Sequence, residues 1–237
     1  MCGRYVRRSD KQRIAEAFHL GKLPANFILP PDFNIAPTTF QPVIRLNRET
    51  GDREIVMMRW GLVPHFAKSL ADVKGLSNIN VKAETIQQRA MWRIPFQKRR
   101  CLVPADGFCE WQKIDAKTRK PFFYSLNNGQ PFAFAGLWDA WKDPQTAEWL
   151  LSFAIITTDP NELAAQVHDR MPVILEPRDY DRWLQRGTLQ HPDLDQPPLD
   201  LLRPFPAEDM QAAPANQAVG NPRNNGPEML TAPPAEE

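Results

Sequence analysis

Arg100-Cys101-Leu102-Val103-Pro104-Ala105-Asp106-Gly107-Phe108-Cys109-Glu110-Trp111 decides the fold class. Two extended apolar runs, Arg100 to Pro104 and Phe108 to Trp111, meet at an Asp106-Gly107 turn with no room for a helix between them. Downstream, Phe122-Phe123-Tyr124-Ser125-Leu126 and Phe132-Ala133-Phe134-Ala135-Gly136-Leu137 flank Asn127-Asn128-Gly129, a turn signal of the hairpin kind. Upstream, Val43 to Leu46 and Ile55 to Trp60 flank Thr50-Gly51-Asp52 and read as a hairpin. Leu151 to Thr157 is another strand, and Val173 to Leu175 a short one. Strands therefore follow strands through most of the chain.

Helices are few. The capping-box pattern Ser9-Asp10-Lys11-Gln12, followed by Ile14, Ala15, Ala17 and Phe18, predicts a helix over about 9–18. Thr85-Ile86-Gln87-Gln88 opens a short helix that Pro95 ends. Asp159-Pro160-Asn161-Glu162 offers an N-cap, a proline at N1 and a glutamate at N3 for a helix reaching Val167. Arg178 to Gln185 is a further helix, and residues 22–39, rich in Pro and Asn, read as loop. Strand runs with occasional helices predict an α+β single domain with a mostly antiparallel sheet, and not a doubly wound one. The domain is expected over 1–226. Prolines become frequent after about 186, and 227–237 read as a disordered tail.

The 237 residues are 42% hydrophobic, enough for a sizeable core. There is no apolar run of membrane length, and Arg4, Arg7 and Arg8 stand where a signal peptide would place its apolar core. A cytoplasmic protein with no membrane partner is expected. Three cysteines (Cys2, Cys101, Cys109) without a CxxC, and four scattered histidines, argue against a disulfide framework and a zinc site. No metal or other cofactor is expected. The net charge of +1 conceals an asymmetry: residues 185–237 hold three Arg against eight Asp or Glu, leaving the rest at +6. Residues 1–13 and 82–100 carry most of that basic character, the latter with Glu84 as its single acid. Basic stretches suit a polyanion, although a solvated face explains most charge runs.

The chain opens Met1-Cys2-Gly3-Arg4. Loss of Met1 would leave Cys2 with a free α-amine, whose reference pKa is about 7.7–8.0, beside a thiol near 8.5. A vicinal amine and thiol trap an aldehyde: the amine condenses to a Schiff base and the sulfur closes a thiazolidine ring. No interior cysteine does this, because its nitrogen is an amide. Against this stands the plain alternative of a small residue in a frayed terminus. Four other polar residues sit in apolar or turn-rich surroundings: Asn34, Asn80, Glu110 and His168. Singly, each has a structural explanation: local turns for the asparagines, an outward strand position for Glu110, a helix C-terminus for His168. No Gly-x-Ser-x-Gly nucleophile motif and no phosphate-binding glycine loop is present.

Met1-Cys2-Gly3-Arg4, Met58-Arg59-Trp60-Gly61-Leu62-Val63-Pro64, Ala105 to Trp111, His168-Asp169-Arg170-Met171-Pro172 and Val219 to Asn225 occur in this order. With these ordered motifs the chain resembles the SOS-response-associated peptidase (SRAP) family of abasic-site shield proteins, from Cys2 to about Leu230. The resemblance implies a barrel-like antiparallel sheet with flanking helices. It also implies covalent capture, by Cys2 after Met1 release, of the ring-opened aldehyde of an abasic site in single-stranded DNA. By position, Cys2, Asn80, Glu110 and His168 are similar to the family's catalytic residues. DNA contacts are implied at Arg4, Asn34, Trp60, Phe66, Lys82, Arg170 and Arg223. Lys82 stands where many relatives have arginine, and His65-Phe66 where relatives often have a tryptophan. Cys109, often tyrosine in the family, reads as packing. A monomer is expected. The alternatives are an N-terminal-cysteine hydrolase acting on peptide or amide bonds, with Glu110 or His168 as its base, and a non-catalytic nucleic-acid-binding module with Cys2 incidental.

Overall fold

The computed structural model of the chain describes residues 2–21, 23, 26–73, 78–185 and 196–233. In chain order the strands and α-helices are β1 (Arg4–Arg7), α1 (Lys11–Ala17), β2 (Asp32–Ile35), β3 (Phe40–Leu46), β4 (Arg53–Trp60), β5 (Asn80–Lys82), α2 (Ala90–Lys98), β6 (Arg100–Ala105), β7 (Gly107–Lys113), β8 (Arg119–Leu126), β9 (Phe132–Lys142), β10 (Trp149–Thr158), α3 (Glu162–Ala165), β11 (Met171–Pro172), β12 (Ile174–Leu175), α4 (Tyr180–Leu184) and β13 (Met210–Pro214).

Strands β10, β4, β3, β6 and β9 pair in turn, and β9 pairs back with β10, so this sheet closes into a five-stranded barrel. Within the ring β10–β4 is parallel and the other pairings are antiparallel. The short β5 adds alongside β10 in parallel, Asn80 opposite Ile155 and Lys82 opposite Thr157. A second sheet, ordered β13-β8-β7-β1-β2, is antiparallel throughout. The α+β class with a mostly antiparallel, barrel-like sheet is as expected.

Period-two alternation splits the barrel strands between two cores. Val43, Val103, Phe134, Phe153 and Ile155 share one cluster with Cys2, Tyr5, Phe108 and Tyr124 of the second sheet's side. Their neighbours Ile44, Leu102, Ala135, Ala154 and Ile156 face another cluster, covered by Ile14, Phe18, Trp92, Phe96 and Trp183 from the helical segments. The catalytic candidates lie on the first of these faces.

Several local expectations shift. The α1 N-cap is Asp10, whose carboxylate accepts from Arg13 N at 2.9 Å. Ser9 instead donates its hydroxyl and its N–H to Asp106, at 2.6 and 2.8 Å. Within the expected loop 22–39 lies β2, held by pairing with β1. Helix α2 begins at Ala90 and runs through Pro95 to Lys98. Asn161, not Asp159, caps α3, accepting from Ala164 N at 2.8 Å. The Gly129 turn forms, with φ +63°, but β8 and β9 do not pair: they leave it for different sheets. Asp106 likewise hands the chain from the barrel strand β6 to β7 of the second sheet. Finally, of the expected tail 227–237, residues 234–237 lie outside the described residues, and the segment from 227 is packed at its start. A 3-10 turn over Pro227–Leu230 buries Met229 and Leu230 against Val6, Phe123 and Val219. Among the described residues no helix is long and apolar enough to cross a membrane.

Candidate active site

Cys2 lies just ahead of β1 and is fully buried. Asn80, at the start of β5, donates its side-chain Nδ2–H to the Cys2 carbonyl at 2.8 Å. The strand register that sets Asn80 opposite Ile155 turns its side chain to the same core face as Cys2. Glu110 comes from the middle of β7, on the face it shares with Phe108, while Cys109 and Trp111 point to the opposite core. The start of β7 needs Gly107: a Cβ there would lie 2.3 Å from Phe123 Cε2 and 2.4 Å from the Tyr124 carbonyl oxygen. His168 follows α3, and its Nε2 stands 4.0 Å from Glu110 Oε2. That gap is too long for a direct hydrogen bond and fits one bridging oxygen.

The electrostatics follow from burial. The Glu110 carboxyl is 4% exposed, and burial pushes its pKa up to about 7. Burial, with Glu110 second, raises the Cys2 thiol well above its ordinary value, so in the intact chain the sulfur is protonated. The His168 ring pKa is lowered, chiefly by burial. Its Nδ1 accepts from Arg170 N–H at 3.1 Å, which in the neutral ring assigns the proton to Nε2, facing Glu110. Protonation of Nδ1 ends that acceptor role, and the ring then donates to Asp169 Oδ1, 2.9 Å away. Asn80 Oδ1 is buried without a hydrogen-bond partner, an acceptor beside the Cys2 backbone. A neutral histidine, a carboxyl near its midpoint and a thiol within one core are equipped to move protons around the Cys2 nitrogen and sulfur. Among the described residues no group of His, Cys, Asp and Glu could hold a metal.

The implied DNA contacts divide. Lys82 is exposed, two residues along β5 from Asn80, at the rim of the site. Phe66 is 56% exposed and Arg223 is exposed. Arg4 is partly buried and donates to the Gly3 and Gly220 carbonyls at 2.8 and 3.3 Å. Asn34 is buried and donates to the Asn221 and Asn224 carbonyls at 2.9 and 2.8 Å, so it holds the loop that carries Arg223. Two contacts are corrected. Trp60 is fully buried, donates to the Ile79 carbonyl and stacks on Phe153, so its ring is closed to a DNA base. Arg170 is 8% exposed and spent on Glu84, at 2.8 and 3.0 Å, Asp159 at 3.0 Å and the Thr157 carbonyl. It is a buried clamp between the His168 loop and the Lys82–Glu84 segment. Glu84 was missed as its partner; its being the single acid of the basic stretch 82–100 was the available signal. Part of the basic character is internal too: Arg7 donates to Pro30 O, and Arg100 to Trp183 O and Phe96 O.

Abasic site processing protein YoqW of Bacillus subtilis is 36% identical over 97% of this chain and 99% of its own. Abasic site processing protein HMCES of Rattus norvegicus is 33% identical over 84% of this chain and 64% of its own. A crystal structure of a Bacteroides thetaiotaomicron protein shares the fold, with TM-score 0.83 and 24% identity over 98% of this chain and 100% of that one. With the profile of the SOS response associated peptidase (SRAP) matching residues 1–222, the chain belongs to the SRAP family.

Proposed function

We propose that this protein processes abasic sites by bonding covalently to them in single-stranded DNA through Cys2. The observation that carries the reading is the convergence of Cys2, Asn80, Glu110 and His168, from four separate parts of the chain, on one site: Asn80 bonds the Cys2 carbonyl, the Glu110 charge acts on the Cys2 thiol, and the half-buried His168 faces Glu110. The relatives, abasic site processing proteins, support the substrate.

Hydrolysis of the Met1–Cys2 peptide bond comes first. Water adds to the Met1 carbonyl, methionine leaves as its acid, and the Cys2 nitrogen takes up the proton as an amine. The abasic deoxyribose opens from hemiacetal to aldehyde by moving one proton between its two oxygens, a transfer assigned to His168. The neutral amine adds to the aldehyde carbon. Loss of one water, assisted by Glu110 as proton shuttle, gives the Schiff base. The Cys2 sulfur then adds to the imine carbon while its proton passes to the nitrogen, closing the thiazolidine. Aldehyde capture releases one water, matching the one consumed in removing Met1, and no redox partner is needed. Asn80 holds the Cys2 carbonyl and offers Oδ1 to the amine, orienting the nucleophile without adding charge. An undamaged nucleotide has no aldehyde, so selectivity lies in the reaction, and a single strand avoids the cost of unstacking a duplex.

The test is a denaturing gel after mixing the protein with a single strand that contains one abasic site. A heat-stable shifted band is expected for the wild type and is expected to vanish in Cys2→Ala, with intact mass showing Met1 lost from the active form. A stable adduct formed by Cys2→Ala at the normal rate, or peptide turnover with no shift, would overturn the reading.

A further inference from the structure

At the opposite end of β10 from Asn80, the barrel opens into a groove of about 610 Å3, the size range of a ligand site. Its floor is Trp138, 6% exposed, with three guanidiniums over the ring: Arg45 at 4.4 Å, Arg99 at 5.7 Å and Arg48 at 5.8 Å from the centroid. Its far wall is Trp149, 66% exposed, with Lys142 Nζ 5.8 Å from its centroid. Two acids answer these four cations. Glu54 takes Arg45 at 2.8 Å, and the fully buried Asp139 takes Arg99 together with His65. Among the described residues no acid pairs with Arg48 or Lys142. The Arg99 guanidinium pKa is depressed, chiefly by burial and then by the Arg48 charge.

The loop after β4 joins this groove to the Cys2 site. Leu62 N–H donates to Asn78 O, two residues before Asn80, and Asn78 returns a bond from its amide to Leu62 O. Further along, Val63 N–H donates to Ser152 Oγ, His65 N–H to Asp139, and Trp141 Nε1–H to Ala67 O. Phe66 projects from this loop, 56% exposed. From Ile155, opposite Asn80, to Trp149 is six residues of β10, or about 20 Å of strand.

We propose that this groove is a second binding tract for single-stranded nucleic acid, in which a strand engaged at Cys2 runs along the Phe66 loop and sets its phosphates on the Arg45, Arg48 and Arg99 guanidiniums and a base on Trp149. Guanidinium forks match phosphate, and an exposed indole beside a cation is a stacking platform for any base. A simple carboxylate ligand would satisfy the arginines and leave the Trp149 face bare. The path rests on the reading of Cys2 as the DNA-reacting residue; the contacts in the groove do not.

The experiment uses the full chain, with Trp149→Ala and Arg48→Gln, two exposed positions outside the Cys2 site. Fluorescence anisotropy gives the Kd for a long undamaged single strand across a salt series. Denaturing gels give the crosslinking rate to a short strand with one nucleotide on each side of the abasic site. Trp149→Ala is expected to weaken the long strand about tenfold. Arg48→Gln is expected to lower the log–log salt slope by about 0.7. Both should crosslink the short strand at the wild-type rate. An unchanged Kd and slope would overturn the second tract while leaving the crosslink intact. Quenching of Trp149 by deoxyadenosine monophosphate as strong as by the long strand would also overturn it, in favour of a free-nucleotide site. Loss of long-strand binding in the variants, with no crosslink by the wild type, would sustain the groove and sink the Cys2 reading.

Discussion

At the residue scale, Glu110 couples chemistry to stability. Its folded pKa of about 7 lies above the ordinary carboxyl value of 4.5 because the group is buried. The folded protein therefore holds a proton that the unfolded chain has already lost. The stability this supplies is full below about pH 4.5 and is lost as pH rises through 7, by roughly 3 kcal/mol for a shift of this size. Glu110→Gln cannot titrate, so its melting temperature should stay flat where that of the wild type falls between pH 5 and 8. The same variant should slow crosslinking by the ~10²–10⁴-fold typical of a general acid–base, and a pre-opened aldehyde should not restore it. His168→Ala, if His168 serves only sugar opening, should be largely restored by that substrate. Parallel melting profiles for wild type and Glu110→Gln would show that the carboxyl is not held protonated by burial. Glu110 and His168 were legible from motif order, but their 4.0 Å approach was not, since β7 and the segment after α3 meet only in the folded chain.

At the element scale, α3 shows how tertiary contact chooses among local signals. Asp159-Pro160-Asn161-Glu162 contains two residues able to cap, and the Pro-at-N1 pattern favours Asp159. The fold uses Asp159 as a partner of Arg170 instead. Asn161 caps, and its amide also donates to Phe205 O at 2.7 Å. Asn161→Ala should therefore cost about 1–2 kcal/mol, read from denaturant midpoints. Asp159→Ala, removing an exposed carboxylate from a salt bridge, should cost under about 1 kcal/mol. The reverse ranking would restore the sequence-based cap. Asn127-Asn128-Gly129 makes the expected turn, while Asp106-Gly107 is a single bend at Asp106 between β6 and β7. The strands they join leave for different sheets because pairing is settled by distant partners such as β13, which lies in the region after 186 where prolines become frequent.

At the scale of the whole molecule, the C-terminal segment closes the second sheet's outer core. Met229 and Leu230 pack on Val6, Phe123 and Val219, and the preceding loop is bound by Asn34 and Arg4. Ending the chain after Gly226 removes two buried apolar side chains at about 2–5 kcal/mol each for full truncation. A thermal scan should show the melting temperature lower by roughly 8–40 °C. An unchanged value would return 227–233 to the status of a tail.

By itself the sequence determined the strand-rich α+β class, the closure chemistry available to an N-terminal cysteine, and the ordered motifs that mark the family. These rest on period-two patterning, covalent structure and short contiguous runs, all local properties. The tertiary structure alone decided that the larger sheet closes through β9 and β10, that Trp60 and Arg170 face inward, and that Asn34 serves a loop. Local patterning marks a residue as apolar or charged, but its exposure depends on which distant strand covers it. That is also why half-buried aromatics and basic residues, plausible DNA contacts by type, sorted into core, clamp and rim only once the chain had folded.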